Sequence, residues 1–254
     1  MPLSSPSPAP GATPRDLAAA LALADADPAV AGVVLSGSRV HAGMPTVHSD
    51  DDVHVVTLDG RPSAFDGMDG HRSALLDLVV MSLAEFRRRG LPGDPMAWSR
   101  YGYVHAAVLR DRLDGGIAAV LDRKRTLDAA EARAAADGFL DAFANSTYRA
   151  LKSHRDGRPE AARLDAAEAV PFALEALFAL HRRVRPYNKY LRWELEHAPL
   201  GDPLWAADRL LPRLTELRGA GDLRALFRDL ERTARAAGHG AVLDGWGDDL
   251  AFLR

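Results

Sequence analysis

The chain has 254 residues, 47% hydrophobic and 26% charged, with a formal net charge of −3. That length and balance suit an ordinary globular protein with one large core or two smaller ones, and a near-neutral surface argues against coating nucleic acid by bulk electrostatics. There is no cysteine, which excludes disulfides and thiolate metal sites, and no apolar run reaches the roughly 18 residues needed to span a bilayer.

Taken in chain order, MPLSSPSPAPGATP reads as a disordered tail over residues 1–14. It has neither a basic start nor an apolar middle, so it does not read as a secretory signal, and the expected location is the cytoplasm. Heavy use of Ala and Arg suggests a GC-rich bacterial genome. Pro14 to Ala26 carries a Leu17, Leu21, Leu23 stripe that predicts a helix packed on a sheet, stopped by Asp27-Pro28. Val33 to Leu35 predicts a strand ending in Gly37-Ser38, and a second strand opens after Ser49-Asp50-Asp51-Asp52. A polar connection over 59–70 leads to a strand within Ser73 to Ser82, and Leu83 to Arg89 reads as a short helix ended by Gly90. Gly102 to Leu109 predicts a further strand, followed by a turn.

From Ile117 the strand signal disappears. Helices are expected over 127–154, 164–184, 187–197, 203–217 and 223–237, with breaks at DGRP, RP, PLGDP and GAGD. Leu174, Leu177, Phe178 and His181 fall on one side of their helix. The fold class is therefore α+β: a mixed sheet with flanking helices over 15–116, followed by an all-helical bundle over 117–254 stacked against it. The cleft between two such domains is a common place for small-ligand sites.

The chemistry concentrates at the second strand. Asp50 and Asp52 alternate onto one face, about 7 Å apart along the strand, while Asp51 points away. Carboxylates held that close repel one another unless a divalent cation lies between them, and hard oxygen ligands suit magnesium or manganese. Asp77 interrupts the apolar strand SALLDLVVMS, where an unpaired buried acid would be costly. If the two strands are neighbours, Asp77 completes a three-carboxylate cage. Ser-Asp-Asp-Asp also suits a solvated turn entering a strand, but that reading accounts for neither Gly37-Ser38 before it nor Asp77 after it.

Gly-Ser, a gap of eleven residues, Asp-x-Asp, then a lone Asp in the next strand resembles the signature of the DNA polymerase beta-type nucleotidyltransferase superfamily. The loop from Arg39 to Ser49 is slightly longer than usual for it. The resemblance implies that Gly37 and Ser38 hold a nucleoside triphosphate, with Arg39 helping to neutralise it. It also implies that Asp50, Asp52 and Asp77 bind two metal ions, magnesium or manganese. The implied reaction moves a nucleoside monophosphate, AMP from ATP, to a hydroxyl of a small acceptor such as an aminoglycoside-like antibiotic, releasing pyrophosphate. A protein or tRNA acceptor is the alternative, and a non-catalytic nucleotide sensor a further one.

Two other groups carry possible chemistry. Asp141, Asn145, Tyr148 and Lys152 form a polar stripe on one helix face, read either as solvated surface or as a substrate-cleft lining with Lys152 on phosphate. Arg185-Pro186-Tyr187-Asn188-Lys189-Tyr190 places a Pro at a helix start, where backbone amides attract anions and Lys189 adds charge. Its alternative is a helix start with tyrosines in the core and Lys189 exposed. The helical half, with this run, also resembles the C-terminal domains of small bacterial antibiotic-modifying nucleotidyltransferases. His41, His48 and His54 crowd the acidic motif without a metal-binding spacing, though His54 shares a face with Asp52. His71 and His105 are expected to be satisfied locally.

Overall fold

The computed structural model describes residues 13–217 and 219–254, so the expected tail lies outside it except for Thr13 and Pro14. It contains two compact units that divide after Arg125.

In the first unit, β1 (Val30–Ser36), β2 (Asp51–Thr57), β3 (Leu76–Ser82) and β4 (Ala107–Asp111) form one sheet in the order β3-β2-β1-β4. β1 is antiparallel to both β2 and β4, whereas β2 and β3 are parallel. Both faces are covered. On one, α1 (Leu17–Ala26) buries Ala20 and Ala24 with Val33, Val53, Val55 and Leu78. Asp16 caps this helix, its Oδ1 accepting the Ala19 amide at 2.9 Å. On the other, α2 (Leu83–Arg88) and α3 (Gly116–Arg125) bury Phe86, Ile117 and Leu121 with Val34, Val56 and Met81.

Two expectations shift here. The fourth strand begins at Ala107, later than expected, because Ala97–Tyr103 is a 3-10 turn whose Tyr101, Tyr103 and Arg100 are buried. The Arg100 Nε donates to the Lys124 carbonyl at 2.9 Å. The expected boundary at 116 also moves, since α3 belongs to the sheet unit. A Cβ at Gly32 would lie 2.5 Å from Ile117 Cγ1, so glycine lets α3 approach β1 closely. Asp111 starts that helix, its Oδ2 accepting the Ile117 amide at 3.0 Å.

The second unit is helical: α4 (Ala129–Arg155), α5 (Pro159–Leu180), α6 (Leu191–His197), α7 (Ala207–Thr215), α8 (Ala220–Ala236), α9 (Gly240–Asp244) and α10 (Asp249–Leu253). α4 and α5 form a hairpin through Gly157, whose φ of 67° gives the left-handed turn. α5 begins earlier than expected because Pro159 starts it rather than breaking it. The core joins Leu140, Phe143, Leu177, Trp205, Phe227 and Leu230. The Trp205 Nε1 donates to Thr233 Oγ1 at 3.2 Å, satisfying the indole inside it. No helix among the described residues is long and apolar enough to cross a membrane.

Candidate metal centre

The parallel pairing of β2 and β3 decides the site. Its register sets Asp52 opposite Asp77, and side-chain alternation puts both on the face that α2 and α3 cover farther along. Asp50 lies just before β2. Ligand oxygens of Asp50, Asp52 and Asp77 all lie within 4.8 Å of one another, and all three residues are half-buried. Ligands on opposite sides of one magnesium ion stand about 4.2 Å apart. These oxygens therefore fit a divalent cation with little movement, and an all-carboxylate set favours a hard one. Asp77 registers the crowding of these acids. Burial raises its pKa, the Asp50 charge raises it further, and Arg72 and His71 pull it back. Arg72 Nε lies 3.5 Å from Asp77 Oδ2.

Beside the acids, Gly37–Val40 is a 3-10 turn that closes β1, with Ser38 buried. Gly37 has φ 72°, and a Cβ there would lie 1.7 Å from Asp52 Oδ2. The glycine thus brings bare backbone against the carboxylate. His41, also buried, has Nδ1 2.7 Å from the Gly37 carbonyl and Nε2 3.2 Å from the Tyr101 hydroxyl. Arg39 does not stand free at the turn. Its Nε lies 3.1 Å from Asp51 Oδ1 and its guanidinium donates to the Ser49 carbonyl at 2.8 Å, which staples the loop and turns Asp51 away from the cluster.

Beneath the site, Ser36 Oγ is 3.0 Å from His54 Nε2. The His54 ring lies against Tyr103 at 5.1 Å between centroids. Burial, with the charges of Lys124 and Arg89, lowers its pKa to about 4 and keeps it neutral. Lys124 is fully buried, with Nζ donating to the carbonyls of Phe86 and, at 2.7 Å, Arg89. The ammonium lies 4.3 Å from the Tyr103 ring centroid.

The other expected site residues belong to the second unit. Asp141 accepts from Trp246 Nε1 at 2.9 Å, and Tyr148 packs on Trp246 and Phe252, so the C-terminal segment covers part of the stripe. Asn145 and Lys152 are exposed. The helix expected from residue 187 begins as a 3-10 turn at Asn188–Tyr190. Tyr190 is buried, Tyr187 half-buried, and exposed Lys189 lies 5.2 Å from the Tyr190 ring centroid. His48 is exposed in the loop, and His105 packs edge-on against His41. Reasoning from sequence missed Ser36, Arg72 and Tyr101, which no local spacing marks, and gave His41 no role.

No family model matches the chain, and no curated protein matches it. Among solved structures it is similar to a nucleotidyltransferase-like protein from Exiguobacterium sibiricum 255-15, at 13% identity, 86% coverage of this chain, 73% of that one and a TM-score of 0.47. Likeness at that level says nothing of chemistry, which the carboxylates themselves must carry.

Proposed function

We propose that the chain is a metal-dependent nucleotidyltransferase that moves a nucleoside monophosphate, AMP from ATP, to a hydroxyl of a small molecule. The convergence of Asp50, Asp52 and Asp77 beside the bare backbone of Gly37 supports the reading. A chain without such chemistry has no physical reason to gather three mutually repelling acids. The order of these residues along the chain resembles the polymerase beta-type superfamily, and the acceptor class, an aminoglycoside-like or other polyhydroxyl compound, follows from that resemblance.

Asp50, Asp52 and Asp77 would hold magnesium or manganese. When bound, such a cation neutralises triphosphate charge and lowers the pKa of a coordinated hydroxyl. The half-buried backbone of Gly37, which has no side chain, would let a phosphate approach closely, and the amides of its turn would be donors to it. In the transfer, the acceptor oxygen bonds to the α-phosphorus as the bond to the bridging oxygen of pyrophosphate breaks. The acceptor proton passes to a base at the site. Arg39, tied to Asp51 and Ser49, holds the loop, and its charge would help to neutralise the phosphates.

The test is manganese titration by calorimetry together with transfer of label from α-labelled ATP, using purified protein and a panel of polyhydroxyl acceptors. Asp52→Asn and Asp77→Asn keep shape but lose charge, and each should abolish metal binding and lower transfer about a thousandfold. Full transfer by either variant would refute the assignment. Label retained on protein or RNA would move the acceptor to a macromolecule.

A further inference from the structure

We infer that His41 is a positioning residue that fixes the Gly37 turn against the acidic cluster, acting as a relay from Tyr101. The inference rests on the reading above and adds a residue to it.

Hydrogen-bond roles fix the state of the ring. A backbone carbonyl only accepts, so the 2.7 Å contact between His41 Nδ1 and the Gly37 oxygen requires a proton on Nδ1. In a neutral ring Nε2 is then an acceptor, and the Tyr101 hydroxyl, 3.2 Å away, donates to it. The Gly37 carbonyl therefore sets the tautomer of His41, and the Tyr101 hydroxyl, which can donate or accept, answers it and holds the ring in place. Both side chains are buried, with exposures of 3% and 2%, so neither contact is diluted by water.

The target of that grip is the most constrained point of the site. Gly37 has φ 72° and its backbone abuts the Asp52 carboxylate, so a small rotation of the 37–38 peptide either moves the turn amides away or drives the chain into Asp52. A backbone tie also crosses this turn, the 3.1 Å bond from the His41 amide to the Ser38 carbonyl. Backbone and ring of one residue thus close the turn from both sides. Tyr101 anchors the relay because its own segment is held by the buried Arg100, whose Nε donates to the Lys124 carbonyl. The turn that would receive the nucleotide is thereby tied to the layer beneath the sheet. A packing role alone would require only a flat side chain of that size.

Two isosteric changes separate these roles. The amide nitrogen of His41→Asn occupies the place of Nδ1 and can still donate to Gly37, whereas His41→Gln places its amide near Nε2 and cannot. Three measurements on the full chain are compared: unfolding midpoint, amide hydrogen exchange at residues 37–41, and ATP affinity with manganese present. His41→Asn should keep exchange protection and ATP affinity within about threefold of wild type, while His41→Gln loses about tenfold in both. The two variants should be destabilised alike, and manganese affinity without nucleotide should stay within about threefold in each. Long-range nitrogen-15 spectra of the wild type should show the Nδ1-protonated tautomer, and Tyr101→Phe, which leaves the Gly37 carbonyl in place, should keep it. Equal loss in Asn and Gln variants, or an Nε2-protonated wild type, would overturn the inference. If the wild type binds no triphosphate yet exchange separates the two variants, the reaction class falls and the positioning role stands.

Discussion

Gly37→Ala tests the centre of the site because the structure assigns it two separable penalties. The first is backbone strain: alanine at φ 72° costs about 1–2 kcal/mol, offset by about 0.4–1 kcal/mol from the lower entropy of the unfolded chain. The second is a clash. The new methyl carbon would lie 1.7 Å from Asp52 Oδ2 and 2.7 Å from its Cγ, so the carboxylate must retreat by well over an ångström. Disturbing the support of a metal ligand typically costs about 10–100-fold in affinity, and this displacement belongs at the upper end. Gly43→Ala is the control. Its φ is 77°, yet a Cβ there meets nothing within 4 Å. Manganese titration and thermal unfolding of both variants therefore separate the terms. Each should lose a few degrees of melting temperature at most from strain, and Gly37→Ala alone should lose the metal. Wild-type manganese affinity in Gly37→Ala would refute the close approach of turn and carboxylate. Equal loss of affinity in both variants would assign the effect to strain in the loop.

Arg72→Ala should tighten manganese binding by about two- to fivefold, the scale of an exposed ion pair, because Arg72 competes with the cation for Asp77; unchanged or weaker binding in calorimetry would show that the arginine does not compete. Lys124 should make stability rise with pH. Burial depresses its pKa to about 7 from 10.5, Arg89 and Arg100 adding to the shift and Asp94 opposing it, so in that window the unfolded chain holds a proton that the folded one lacks. Stability should rise by about 2 kcal/mol between about pH 7 and 9, read from urea unfolding, and Lys124→Met should remove the rise. A slope that survives in Lys124→Met would place the titration elsewhere.

The strands that carry the site were legible because each is a short apolar run with alternating faces, and Asp50, Asp52 and Asp77 stand out as acids against it. The long helices were legible from their periodicity, and the predicted 127–154 segment is observed as Ala129–Arg155. Places where local chemistry has two outcomes were not. Gly102 to Leu109 has the composition of a strand, but burial of Arg100, Tyr101 and Tyr103 draws its start into a 3-10 turn. Pro159 reads as a break yet starts a helix, since the first helical turn needs no donor there.

What the chain determined by itself is the chemistry at its disposal: hard oxygen ligands, a glycine where the backbone must turn left-handed, and a sheet followed by helices. What only the tertiary structure decided is who meets whom. The parallel register that faces Asp52 with Asp77, the guanidinium of Arg72 beside that acid, and the path from Tyr101 through His41 to Gly37 all join residues from separate elements. Such pairings depend on how strands align and what the helices cover, and strand register is a property of the assembled sheet rather than of any stretch of sequence.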